Sequence, residues 1–267
     1  LVAMESVFEK GGSTAGVGRA VTIVDASIQD CSAWEVARMT QERARDHNAF
    51  GGLDREVVKL TNHSDLFHNV IDFGVKTLAP REWLTVVVWK VMDEDTMIVC
   101  FEDTEDDRFP VGRLKGYVRA SSVAFWKYER LPKASGIPQT RVTYIQQIDL
   151  KGFIPSFVAN SKITSTLELL SDMRKKFDKS LEIDAGRRAA IVQMIELKED
   201  SRGGEALAQF EALVKERPGS ERPSRTFGTA DSMVKVEAIG GHTWGTTRMN
   251  IRASMEEVAA FLWDFGS

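Results

Sequence analysis

Cysteine is scarce in this chain. Two residues among 267, Cys31 and Cys100, cannot build a disulfide framework, and neither stands in a CxxC pair. A reducing compartment is the simpler reading. Histidine is nearly as rare: His47, His63, His68 and His242 are scattered, neither His63 nor His68 has a carboxylate partner by spacing, and all four read as surface residues rather than ligands or bases. Surplus positive charge is lacking too. The formal net charge of −4 argues against a general nucleic-acid binder. No stretch approaches the roughly 18 apolar residues of a membrane span. No basic start followed by an apolar core is visible after Leu1, so no signal peptide is expected. A cytoplasmic location, peripheral to membranes at most, fits these absences.

The motifs of common chemistries are missing as well. There is no GxSxG elbow, no HExxH and no GxxxxGK[ST] loop. Gly16-Val17-Gly18 begins like GxGxxG, but Val21 stands where the third glycine belongs, and the stretch precedes a strand instead of following one. The acidic run of Glu102, Asp103, Glu105, Asp106 and Asp107 lacks the glycine and the distal glutamate of a calcium loop. It reads as a solvated loop or, more sharply, as a mobile rim at a cavity mouth. No catalytic residue, metal or cofactor is expected, and the chain is read as non-enzymatic.

What is present is apolar. Hydrophobic residues make up 43% of the chain, enough for a sizeable core. Strands are expected over residues 20–29, 55–61, 66–76, 83–92, 97–103, 113–129 and 141–148, joined by turn-like connections. A helix is expected over residues 32–46, capped by Asp30 or Ser32, with Trp34, Ala37, Met39 and Ala44 inward and Glu42, Arg43 and Arg45 exposed. Successive strands without intervening helices indicate an antiparallel meander.

Residues 141–179 organise the rest. Val142, Tyr144, Gln146 and Ile148 share one face of a strand by their period of two. Residues 149–152 carry turn chemistry, with Asp149 to accept backbone donors and Gly152 free to take positive φ. Pro155 suits a first helical turn. Beyond it Ile163, Leu167, Leu170, Met173 and Phe177 recur at helical spacing opposite a charged face.

This stretch, together with GYVRA at residues 116–120 and APREWL at residues 79–84, resembles the START domain, the lipid-transfer module named after the steroidogenic acute regulatory protein. Asp149, Gly152 and Pro155 match its strand-to-helix signature, Arg81 its Pro-Arg-aromatic strand start, and Val118-Arg119-Ala120 its Val/Ile-Arg-Ala strand. The resemblance covers residues 20–180. It implies an α+β helix-grip fold, in which a curved antiparallel sheet wraps around a long C-terminal helix over an internal cavity. It implies binding of one lipid in that cavity, for transfer or sensing, and transient contact with a membrane surface.

The cavity candidates are mostly apolar: Val87, Trp89, Phe101, Phe125, Phe157 and Leu167. Arg119, Tyr144 and Gln146 are the polar groups offered to orient a ligand, with a structural ion pair as the competing role for Arg119 and for Arg81. Sterol-carrying members place a charged residue mid-strand where Val87 stands here, which weakens a cholesterol assignment. Arg174, Lys175, Lys176 and Lys179 either complement the helix dipole or dock on anionic headgroups. Two other function classes remain open: a cyclase- or hydrolase-like enzyme on the same architecture, which needs an acid/base pair in the cavity, and an interaction scaffold of tandem units with filled cavities.

Domain organisation follows from composition. Residues 1–19 read as a linker end, 20–180 as the START-like domain, 181–216 as a helical extension and 217–235 as a Pro/Gly/Ser-rich linker. Residues 236–267 echo the beginning: Gly240-Gly241 follows Val236 as Gly11-Gly12 follows Val7, and Ser254-Met255-Glu256-Glu257-Val258-Ala259 lines up with Ser32-Ala33-Trp34-Glu35-Val36-Ala37. They are expected to be the truncated start of a second START-like repeat, and the chain a piece of a tandem array.

Overall fold

In the strands of this protein, alternation decides which residues are buried. On β8 (Ser121–Ala134) Ala124, Trp126 and Tyr128 turn inward; on β9 (Ile137–Asp149) Val142, Tyr144 and Ile148 do the same. The computed structural model describes residues 2–8, 15–76, 78–152, 154, 164–197, 204, 208, 222–223, 233–239, 242–248 and 250–263. The chain forms two units, Leu1–Ile183 and Asp184–Ser267.

The first unit holds a nine-stranded sheet. β1 (Ala3–Phe8), β2 (Ala15–Val24), β9, β8, β6 (Thr96–Asp103), β5 (Arg81–Val91), β4 (Ser64–Ile71) and β3 (Gly52–Thr61) lie side by side in that order. All of these neighbours are antiparallel. Two-residue β7 (Val118–Arg119) pairs parallel with the start of β5, Val118 opposite Arg81 and Arg119 opposite Glu82. The expected meander from residue 55 to 148 is this sheet, closed by β2 along β9.

Three differences from the sequence reading have local causes. β1 occupies residues read as a linker end: Ala3 to Phe8 pairs with Val21 to Gly16, and the partner strand hides what composition alone suggested was loose. The strand expected over residues 113–129 begins later, because Gly112 and Gly116 both take positive φ and turn the chain before β7. The single helix expected over residues 32–46 is two. α1 (Ile28–Val36) is capped by Ser27, whose Oγ accepts the Asp30 N–H at 3.1 Å. α2 (Gln41–Ala49) is capped by Thr40, whose Oγ1 accepts the Arg43 N–H at 3.4 Å.

One helical turn at residues 164–167 leads into α3 (Leu169–Lys176). Leu167, Leu170 and Met173 are buried and join the core of Ala20, Val24, Trp126 and Val142, each such burial stabilising by about 1.5–3 kcal/mol. α3 packs over β2, while α1 lies over β6, β8 and β9 on that same core. The proposed start of this helix at Pro155, and with it Phe157, lies outside the described residues. α4 (Ser180–Glu196) follows, and most of the remainder of the helical extension expected over residues 181–216 also lies outside them.

In the second unit β10 (Arg222–Pro223), β11 (Met233–Ile239) and β12 (His242–Arg248) form an antiparallel sheet. α5 (Met255–Trp263) opens with a reciprocal cap: Ser254 Oγ accepts the Glu257 N–H at 3.2 Å, and Glu257 Oε2 accepts the Ser254 N–H at 2.8 Å. Among the described residues no helix is long and apolar enough to cross a membrane.

Candidate functional site

The inner face of the sheet does not pack shut. Between that face, the α1–α2 elbow and the start of α3 lies a pocket of about 420 Å³. Its floor comes from alternate residues of adjacent strands: Phe67 of β4, Thr85 of β5, Phe101 of β6, Ala124 of β8 and Gln146 of β9. One end is aromatic. Phe73 meets Trp83 edge-on at 6.0 Å and Phe50 at 6.4 Å, beside Ile71 and Leu150.

The other end is charged, and the elbow between the two capped helices supplies it. Glu35 is fully buried. It accepts from Arg38 through Oε1 and from Arg43 through Oε2, the latter at 3.1 Å. The Arg38 guanidinium lies 4.7 Å from the Phe67 ring centroid and 4.4 Å from that of Phe101; the Arg43 guanidinium lies 4.1 Å from that of Trp34. Burial pulls the Arg38 guanidinium below its ordinary pKa, with the Glu35 carboxylate opposing the shift. Yet the Nε atoms of Arg38 and Arg43 are buried with no hydrogen-bond partner among the described residues. His47 lines the pocket near this end; burial, with the Arg55 charge beside it, holds its imidazole below the ordinary value of 6.5.

The structure brings three of the sequence candidates to the pocket wall: Phe101, Tyr144 and Gln146. Tyr144 donates its hydroxyl to Gln146 Oε1 and stacks on Trp126 at 4.1 Å, and burial pushes its phenol above the ordinary range. Val87 and Leu167 are core residues behind the wall. Trp89 shares the face of Val87, but its ring packs at the sheet rim under Lys59 Nζ at 4.4 Å. Phe125 points away, because its neighbours Ala124 and Trp126 take the inner face.

Arg119 does not reach the pocket. It stands beside Glu82 on the outer face and donates Nε to Glu82 Oε2 at 3.1 Å and a terminal nitrogen to the Phe109 carbonyl at 2.8 Å. Glu82 also bonds His68 Nε2 at 2.9 Å. His68 is therefore a buried partner of a carboxylate, not a surface residue; its mate lies 14 residues away across the β4–β5 ladder, which spacing along the chain does not reveal. The Phe109 ring stacks on His68 at 4.7 Å, so the acidic loop is anchored on the outer face and does not rim the pocket. Arg81 makes no ion pair among the described residues. It donates to the carbonyls of Leu150 at 2.7 Å, Lys151 at 3.1 Å and Ala79, and so ties the start of β5 to the turn after β9. Within that turn Asp149 Oδ1 accepts the Lys151 N–H at 2.9 Å, and Gly152 has φ +78°.

Glu35, Arg38 and Arg43 escaped the sequence reading, which set Arg43 on an exposed helix face. The signal was there: Thr40 followed by Gln41-Glu42 is an N-cap with an acidic first turn, and it breaks the helix so that Arg38 and Arg43 fold back toward Glu35. Among the described residues no group of three His, Cys, Asp or Glu could hold a metal ion.

Known proteins agree with this architecture. The chain is 24% identical over 181 residues to Protein ENHANCED DISEASE RESISTANCE 2-like of Arabidopsis thaliana, covering 64% of this chain and 24% of that one, so it spans about a quarter of that relative's length. The fold matches the human StarD13 (DLC2) lipid transfer and protein localization domain with a TM-score of 0.51 at 17% identity, over 67% of this chain and 85% of that chain. It matches a STAR-related lipid transfer protein from Xanthomonas axonopodis with a TM-score of 0.50 at 20% identity, over 66% of this chain and 93% of that chain. The family model of the START domain matches residues 56–182, the span that holds β4 to β9 and α3.

Proposed function

We propose that this chain binds one lipid or other hydrophobic molecule in the pocket over the inner sheet face, to carry or sense it without reacting on it. The observation that carries the reading is the pocket itself: about 420 Å³ left unfilled among Phe67, Phe101, Trp83 and Ile148 in a chain with ample bulky residues to close it. A volume of this size lies within the range of small-molecule sites. Removing an apolar tail from water is worth about 0.8 kcal/mol per CH₂, so a chain-like ligand is held without catalysis. The START match and the fold shared with lipid transfer proteins support the same reading.

Two accompanying readings belong here. Lys175, Arg174 and Lys179, at and just past the end of α3, are basic groups suited to transient contact with anionic headgroups of a cytoplasmic membrane surface. Residues 236–267 are read as the start of a second START-like repeat; the order strand, strand, helix in β11, β12 and α5 repeats that of β1, β2 and α1 and supports it.

Ala124 tests the pocket. It lies on the pocket floor between Phe101 and Gln146 of the neighbouring strands. Ala124→Phe fills the space. Uptake of a pyrene-labelled acyl probe from liposomes is expected for the native chain and lost in the variant with an unchanged circular dichroism spectrum. Equal uptake by both contradicts the site.

A further inference from the structure

The charged end of the pocket has more donors than acceptors. Two guanidinium groups, Arg43 buried and Arg38 partly buried, converge on the Glu35 carboxylate, and each has a buried Nε with no hydrogen-bond partner among the described residues. Arg43 is only 8% exposed, so water does not answer it freely. A buried cation without a full counter-charge is costly, and so is an unanswered buried donor. The remaining acidic side chains at the pocket, Asp46, Glu168 and Asp172, are exposed at its rim, where solvent screens them. The Asp46 carboxylate comes no nearer than 3.6 Å to Arg43.

The two ends of the pocket are also set apart along the strands. Arg38 sits against Phe67, and the aromatic end begins at Ile71, four residues further along β4, about 13 Å at 3.3 Å per residue. We infer that the ligand is an amphiphile with an oxyanion head and a single apolar body, its head seated on Arg38 and Arg43 and its tail toward Trp83 and Phe73. This rests on the pocket reading above and adds the ligand class to it. A guanidinium fork answers a carboxylate or phosphate with two parallel bonds, which a neutral hydroxyl does not reproduce. A volume of about 420 Å³ suits one acyl chain or a compact ring system, not the two chains of a phospholipid. A carboxylate and a phosphate monoester are the same chemistry here.

The experiment varies the ligand before the protein. Binding of oleate, oleoyl lysophosphatidic acid and oleyl alcohol to the full chain is measured by displacement of a fluorescent fatty probe. An anionic ligand is expected to bind about tenfold or more tighter than the alcohol of equal chain length, and the tighter of the two anions identifies the head. Arg38→Met keeps the length of the side chain over Phe67 and Phe101, and is expected to bring the anion down to the alcohol while leaving alcohol binding in place. That retained binding also shows that the variant is folded. Equal affinity for oleate, lysophosphatidic acid and alcohol in the native chain overturns the oxyanion inference and leaves the pocket reading intact. Absence of binding by all three, and of any other lipid, overturns both.

Discussion

Two buried glutamates, on opposite faces of one sheet, each hold two nitrogen partners, and they differ in what is left over. On the outer face Glu82 takes Arg119 and His68; the spare donor of Arg119 goes to the Phe109 carbonyl, and the Phe109 ring lies over His68. On the inner face Glu35 takes Arg38 and Arg43, the rings of Phe67, Phe101 and Trp34 pack against the guanidinium groups, and two Nε donors remain. The first cluster leaves His68 Nδ1 without a hydrogen-bond partner among the described residues, beneath the Phe109 ring, and bonds a loop to a sheet. The second opens on a pocket. A buried ion pair is thus a poor marker of function by itself; what distinguishes the two is that the surplus donors of the second belong to guanidinium groups lining the pocket.

Substitutions can break this contrast or sharpen it. Glu35→Ala removes the buried carboxylate on which Arg38 and Arg43 converge and is expected to cost about 3–5 kcal/mol of stability, read from the shift in denaturant midpoint. Phe109→Ala removes the lid of the outer cluster at about 3 kcal/mol and should leave ligand uptake unchanged; a loss of uptake in this variant would erase the distinction between the faces. Ser27→Ala removes the cap of α1, the helix that carries Glu35, at about 1 kcal/mol. A thermal scan, with uptake retained at low temperature, checks that effect.

The smallest expected effect is the pH dependence of His47. Its folded pKa lies below 6.5 because burial and Arg55 disfavour the charged ring. The folded protein therefore binds fewer protons at this site than the unfolded chain, so the stabilising contribution is present above pH 6.5 and is lost as pH falls through the folded value. Denaturant titrations between pH 7.5 and 5 should show a decline that His47→Gln reduces. An identical slope in the variant would remove the histidine from the account.

The sequence made the sheet legible because its strands are near neighbours in order, each with a period of two. The inward set of β9, Val142, Tyr144, Gln146 and Ile148, needs no information beyond alternation, and the buried stripe of Leu167, Leu170 and Met173 follows from helical spacing. Arg81 was singled out by its motif, while its role depends on the carbonyls of Leu150 and Lys151, far along the chain, so only the fold discloses it. Arg119 takes the structural ion pair that stood as its competing role, and His68 is buried instead of exposed, for a related reason: which face of β5 receives the loop carrying Phe109 is a tertiary fact. The charged elbow was missed through a local signal read too coarsely, since Thr40 caps a new helix in the midst of what periodicity joins into one.

Mass spectrometry of organic extracts from the full chain, purified without detergent, tests the central claim most directly. The account predicts one co-purifying lipid-like molecule per chain, lost in Ala124→Phe and replaced by a neutral one or depleted in Arg38→Met. A native chain that yields no such molecule, and acquires none after incubation with mixed liposomes, would contradict it.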